Sequence, residues 1–200
     1  KYPQQEFPYS RLVEENQSRS RADPPYGLLD TGIFQDSRYW DVEITYAKKT
    51  PQVILLRIRA VNQGPDAATL HVLPSLWYRN TWAWGGDASP KPVLRATEPE
   101  GASWALDVRH PALGDYVLYG RNQAQCLFTD NETNNQKLFG AANSGPYVKD
   151  AFHRRVVQQD EDAVNPEQVG TKCAAWHKVR CAPTEAAEID LVLTPERTED

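Results

Sequence analysis

A chain of 200 residues, 40% hydrophobic and 24% charged, is long enough to bury a core, since chains of this size remove roughly 70% of their unfolded surface from water. Its 22 basic and 27 acidic residues leave a net charge of -5 with the basic residues dispersed, which argues against nucleic acid or an anionic membrane as partner. No apolar run approaches the roughly 18 residues that span a bilayer, and the polar stretch Lys1 to Arg21 has no secretory leader core, so a soluble cytoplasmic protein is expected.

In chain order, Pro8–Ser20 comes first; Leu12, Val13 and Glu14-Glu15 lie in it without strand breakers, which suits a short helix or an extended arm. Tyr39–Tyr46 alternates, with Trp40, Val42, Ile44 and Tyr46 on one face and Asp41, Glu43 and Thr45 on the other. Val53–Val61 is apolar apart from Arg57 and Arg59 and reads as a central strand. The turn sequence Asn62-Gln63-Gly64-Pro65-Asp66 follows, and Leu70, Val72, Leu76 and Trp77 then complete an expected hairpin. Further strands are expected at Trp104–Val108, Tyr116–Tyr119, Gln125–Phe128, Lys172–Cys181 and Ile189–Leu193. With 15 prolines and 11 glycines, long helices are disfavoured. The fold class expected is mainly β, an antiparallel β-sandwich with few short helices, formed by residues 1–200 as one domain. Trp84–Pro92 and Asn131–Tyr147 are long for hairpin loops, and such loops often carry function.

Three clusters hold the chemistry. Leu76-Trp77-Tyr78-Arg79-Asn80-Thr81-Trp82-Ala83-Trp84-Gly85-Gly86 combines flat aromatic faces, which stack on the C–H faces of sugars, with Arg and Asn donors for hydroxyls. The competing reading puts Trp77 in the core and the other two tryptophans against a neighbouring domain. Phe128 to Asn135 is dense in short polar side chains and reads as a structured turn; its carboxylate spacing does not fit a calcium loop. Its Asn131-Glu132-Thr133 and the earlier Asn16-Gln17-Ser18 match the glycosylation acceptor pattern by chance. In Pro146–Arg155, Lys149, Asp150 and His153 fall within five residues, where an ion-pair network bracing a loop outweighs acid–base chemistry.

Cys173 and Cys181 share one expected strand and stand about 26 Å apart at 3.3 Å per residue, too far for a disulfide. All three cysteines are read as reduced core thiols. No nucleophile elbow, phosphate loop, dinucleotide fingerprint or HExxH is present, so no catalytic residue, metal or cofactor is assigned.

Taken in order, these motifs resemble the N-terminal β-domain of bacterial proteins related to glycoside hydrolase family 63, the processing α-glucosidase family. The resemblance runs through Lys1-Tyr2-Pro3 with Phe7-Pro8-Tyr9, Leu28 to Phe34, Arg38 to Val42, Asn62 to Pro65, Leu73 to Trp82, Asn131 to Asn134, Tyr147 to His153, and Val164-Asn165-Pro166 with Gly170-Thr171-Lys172. It implies a sandwich of the supersandwich, galactose-mutarotase-like type, packed in a longer chain on a downstream α/α barrel. Family members hydrolyse α-glycosidic bonds with inversion, using two carboxylates far enough apart to admit a water; in the family those carboxylates belong to the barrel. Members also carry sequence before the Lys1-Tyr2-Pro3 motif, and the chain lacks an initiator Met, so a fragment of a longer chain is expected, with the presence of all strands of the sandwich left open.

On this resemblance the segment serves as an accessory domain that shapes or supports the barrel's active site for an oligosaccharide or small glycoside. Tyr78, Arg79, Asn80, Trp82, Trp84, Lys149, Asp150 and His153 are its carbohydrate- or interface-facing candidates. A free-standing carbohydrate-binding module and a purely structural interaction domain are the alternatives. Aromatic surface left uncovered by the barrel is expected to make the isolated segment self-associate.

Overall fold

A computed structural model describes residues 1–84, 90–99 and 101–195. Among them the protein is mainly β, with two antiparallel sheets and few short helices, consistent with a β-sandwich. The strands are β1 Tyr2–Pro3, β2 Tyr39–Lys48, β3 Ile54–Asn62, β4 Ala68–Val72, β5 Ser75–Trp77, β6 Val93–Thr97, β7 Trp104–His110, β8 Gly114–Gly120, β9 Gln125–Thr129, β10 Val169–Gly170, β11 Lys172–Cys181 and β12 Ala186–Thr194. Helices α1 Tyr9–Ser18, α2 Asn135–Phe139 and α3 Ala151–Val157 are accompanied by short 3-10 turns at Leu28–Thr31, Gln35–Ser37 and Glu161–Ala163. One sheet runs in the order β1-β2-β3-β12-β8-β7-β6-β10; in the other β11 pairs with β4, β5 and β9. Among the described residues no helix is long and apolar enough to cross a membrane.

The chain divides into two compact units. The first comprises residues 1–45, 58–70 and 179–188. Its buried residues include Ile33, Trp40, Ile58 and Ala60. The Pro8–Ser20 stretch is a helix, α1, and the Asn16 amide at its end ties it down by donating to Leu12 O and Tyr26 O, both at 2.8 Å. Tyr26 lies beneath the guanidinium groups of Arg11 and Arg19, 5.6 and 5.3 Å from its ring centre.

The expected hairpin after Val53–Val61 does not form, because β3 and β4 belong to different sheets. The physical reason sits at Asn62, which is fully buried. Its Oδ1 accepts from Gly64 N (2.9 Å) and Gln4 Nε2 (2.6 Å), while its Nδ2 donates to Asp66 O (2.8 Å) and Cys181 O (3.0 Å). Its backbone exchanges bonds with Thr184 and Glu185. The turn is thus anchored to two distant segments, and these bonds hold the end of β3 to residues 181–185 instead of the chain that follows it. The alternation expected in Tyr39–Tyr46 also fades: Trp40 is buried, but Ile44 and Tyr46 are exposed.

The second unit comprises residues 46–57, 71–178 and 189–200. Its strands β6, β7 and β8 form a meander continued by β12, with Leu94 opposite Val108, Leu106 opposite Leu118, and Leu118 opposite Leu193. Trp104, Ala105, Leu106 and Val108 are all buried, so β7 has apolar neighbours on both faces. Strand β6 follows a Pro-rich stretch and was not expected from periodicity.

Strands β9, β11 and β5 lie side by side, and one row across them reads Thr129, Lys172, Trp77. Thr129 ends β9, Lys172 begins β11 and Trp77 ends β5. The segments that follow Thr129 and Trp77 therefore leave the sheet at the same end. Gly170 is required just before Lys172: a Cβ there would stand 2.4 Å from Thr129 O.

Candidate functional site

At that end of the sheet the second unit holds a cavity of 660 Å³ lined by Trp77, Arg79, Asn80, Ala83, Trp84, Asn131, Thr133, Lys149 and Lys172. Two strand-end residues, Trp77 and Lys172, line it from the sheet, and the rest come from the segments 79–84, 131–133 and the turn before α3.

Those segments are held by an interlocking set of bonds. Asn131 Nδ2 donates to Tyr78 O (2.8 Å), and Asn131 N donates to Thr171 Oγ1 (2.7 Å). Asn80 Nδ2 returns bonds to Asn131 O (2.8 Å) and Glu132 Oε2 (2.9 Å). Glu132 is 8% exposed, and its Oε1 also accepts from Trp82 Nε1 (2.7 Å) and Lys91 Nζ (3.3 Å). Burial by itself raises the Glu132 pKa, but the bonds from Trp82, Asn80 and Lys91, with the Lys91 charge, outweigh it and hold the carboxyl below its ordinary value.

Of the expected site residues, Arg79, Asn80, Trp84 and Lys149 line the cavity. The Arg79 guanidinium lies 4.6 Å over the Trp84 ring, and Trp84 is 64% exposed. Tyr78 is half-buried against His110, ring centres 4.5 Å apart, and burial raises its pKa. Trp82 turns its indole N–H to Glu132 and is not among the lining residues. Asp150 immediately precedes α3, accepts from Asn134 Nδ2 and pairs with Lys137 (3.6 Å); His153 lies on the exposed side of α3. Neither lines the cavity. The Trp84–Pro92 loop falls mostly on residues 85–89, outside the described residues.

The packing reading of the aromatic cluster put Trp77 in the core. Trp77 is 54% exposed and lines the cavity instead, because it ends a three-residue strand where the sheet stops.

No known family profile matches the chain. A curated relative, Uncharacterized protein YMR196W of Saccharomyces cerevisiae, is 33% identical over 218 residues, an alignment that takes in 92% of this chain and 20% of that one. The chain thus spans about a fifth of the length of the relative it matches.

Lys172 was not among the sequence candidates, and Asn131 and Glu132 were read there only as parts of a structured turn. Lys172 Nζ donates to Lys149 O (2.8 Å) and lies 5.0 Å from the centre of the Phe152 ring. Burial, then the charge of Lys149, lowers its pKa against an opposing pull from Asp150. Lys149 Nζ donates to Thr133 Oγ1 (3.1 Å). The arrangement offers two aromatic faces, amide groups and ammonium donors around one cavity. Among the described residues no group of three or more His, Cys, Asp or Glu side chains is placed to hold a metal ion.

Proposed function

We propose that this chain is an accessory β-domain of a longer α-glycosidase-like glycoside hydrolase, supplying part of the surface that receives an oligosaccharide or small glycoside. The observation that carries the reading is the cavity itself. Exposed Trp77 and Trp84 offer flat faces for sugar rings, and Arg79, Asn80 and Asn131 lie among them with polar groups suited to hydroxyls. Its volume lies within the roughly 300–1,000 Å³ of small-molecule sites.

In this reading the general acid and general base stand on an α/α barrel in the longer protein, and none is assigned here. A relative in which the matching region is only 20% of the chain has room for such a domain. The three free thiols, Cys126, Cys173 and Cys181, fit a reducing cytoplasm.

The test is calorimetric titration of the chain with gluco-oligosaccharides, run beside a glycosidase assay on the same preparation. Heat without turnover is expected, with Trp84→Ala removing the heat. Turnover by this chain would contradict the placement of the catalytic pair elsewhere. Silence in both experiments would favour a scaffold that meets sugar only beside its barrel, and a Trp84→Ala variant of the longer protein with unchanged substrate preference would end the sugar reading.

A further inference from the structure

Three cations line the cavity, Arg79, Lys149 and Lys172, and among the described residues none of them pairs with a carboxylate. Their partners are neutral: the Trp84 ring, Thr133 Oγ1 and Lys149 O. An ammonium carries three donors and each lysine uses one of them in these bonds, so donors are left over. The two nearby carboxylates are engaged elsewhere, Glu132 with Trp82, Asn80 and Lys91, and Asp150 with Lys137 and Asn134. A chain with a net charge of -5 has nevertheless gathered like charges here, which repel unless something negative joins them. Burial is the first cause of the lowered Lys172 pKa and the charge of Lys149 the second, with the Asp150 carboxylate acting against both.

We infer that the cavity takes an acidic sugar, with a carboxylate or phosphoryl group held by Arg79, Lys149 and Lys172 and the ring set against Trp77 or Trp84. This deepens the functional reading above and rests on it for the sugar, while the anion follows from three cations that no carboxylate among the described residues contacts. Arg79 suits an oxyanion through its fork of N–H donors, and the two lysines supply point charges.

The experiment titrates the chain with glucuronate, glucose 6-phosphate and neutral methyl glucoside, then repeats the series with Lys149→Gln/Lys172→Gln and Lys149→Arg/Lys172→Arg. An acidic sugar is expected to bind at least about tenfold tighter than the neutral one, the Gln pair to abolish that preference and the Arg pair to keep it. Rising salt should weaken the acidic sugars alone. Whichever acid binds tighter identifies the oxyanion. Equal affinity for acidic and neutral sugars, no binding of either acid, or a Gln pair that binds acids like the parent would each overturn the inference. Arg79→Gln gives the same reading should the Gln pair fail to fold. Loss of the acid preference with gluco-oligosaccharide heat intact would remove only the anion; acid binding without any glycosidase activity in the longer protein would remove only the enzyme.

Discussion

The indole Nε1 of Trp82 donates to Glu132 Oε1 at 2.7 Å, joining residues fifty positions apart. Asn80 reaches the other oxygen of the same carboxylate, so one buried side chain fixes the whole segment that carries Arg79 and Trp84. Glu132→Gln replaces one acceptor by a donor facing donors. A loss of about 2–3 kcal/mol is expected in denaturant unfolding, together with a red shift of tryptophan emission. An unchanged midpoint would show that Trp82 is held by packing alone.

His177 is 2% exposed, with Nδ1 3.0 Å from Gln123 O and its ring edge-on to Trp104. Burial lowers its pKa, partly opposed by the Gln123 contact. The unfolded chain therefore binds this proton more readily than the folded one, and stability rises with pH wherever that holds. The contribution is complete above the ordinary value of 6.5 and is lost as pH falls from there toward the folded-state value. In His177→Asn, whose amide can still reach Gln123 O, the stability curve should flatten in that window; a parallel curve would refute the assignment.

Asn62 satisfies four partners from a fully buried position. Asn62→Ala strands the Gly64 and Gln4 donors together with two carbonyls. About 2–4 kcal/mol of destabilisation is expected by thermal or denaturant unfolding. A cost below about 1 kcal/mol would mean that water replaces the amide.

The thiols of Cys126 and Cys173 meet between β9 and β11. The bond from Cys173 lowers the Cys126 pKa although burial opposes it, whereas burial pushes Cys173 well up. Iodoacetamide on the native protein should label Cys126 before Cys173, as read by peptide mass mapping. Equal labelling would imply that the strands open together.

Much of the fold was legible because strands announce themselves locally. Lys172–Cys181 matches β11, and the strands near residues 104, 116, 125 and 189 appear with boundaries shifted by a few residues. Strand β6 was not, since Val93–Thr97 has only five residues, of which Leu94 alone is buried, too few to display a period by themselves. The site was legible in its aromatic half: Arg79, Asn80 and Trp84 were singled out by composition and do meet at the cavity.

The sequence by itself determined a chain dominated by strands, with a tryptophan-rich segment after Leu76 and polar turns around Asn131. Period-two patterning and residue chemistry are local properties, readable without knowing which strand lies beside which. Only the tertiary structure decided that Asn62 diverts β3 from a hairpin, that Trp77 faces outward, and that Lys172 stands in one row with Thr129 and Trp77. Those outcomes depend on strand order and register, which bring together residues from about forty to about 120 positions apart and leave no mark on the spacing of either segment.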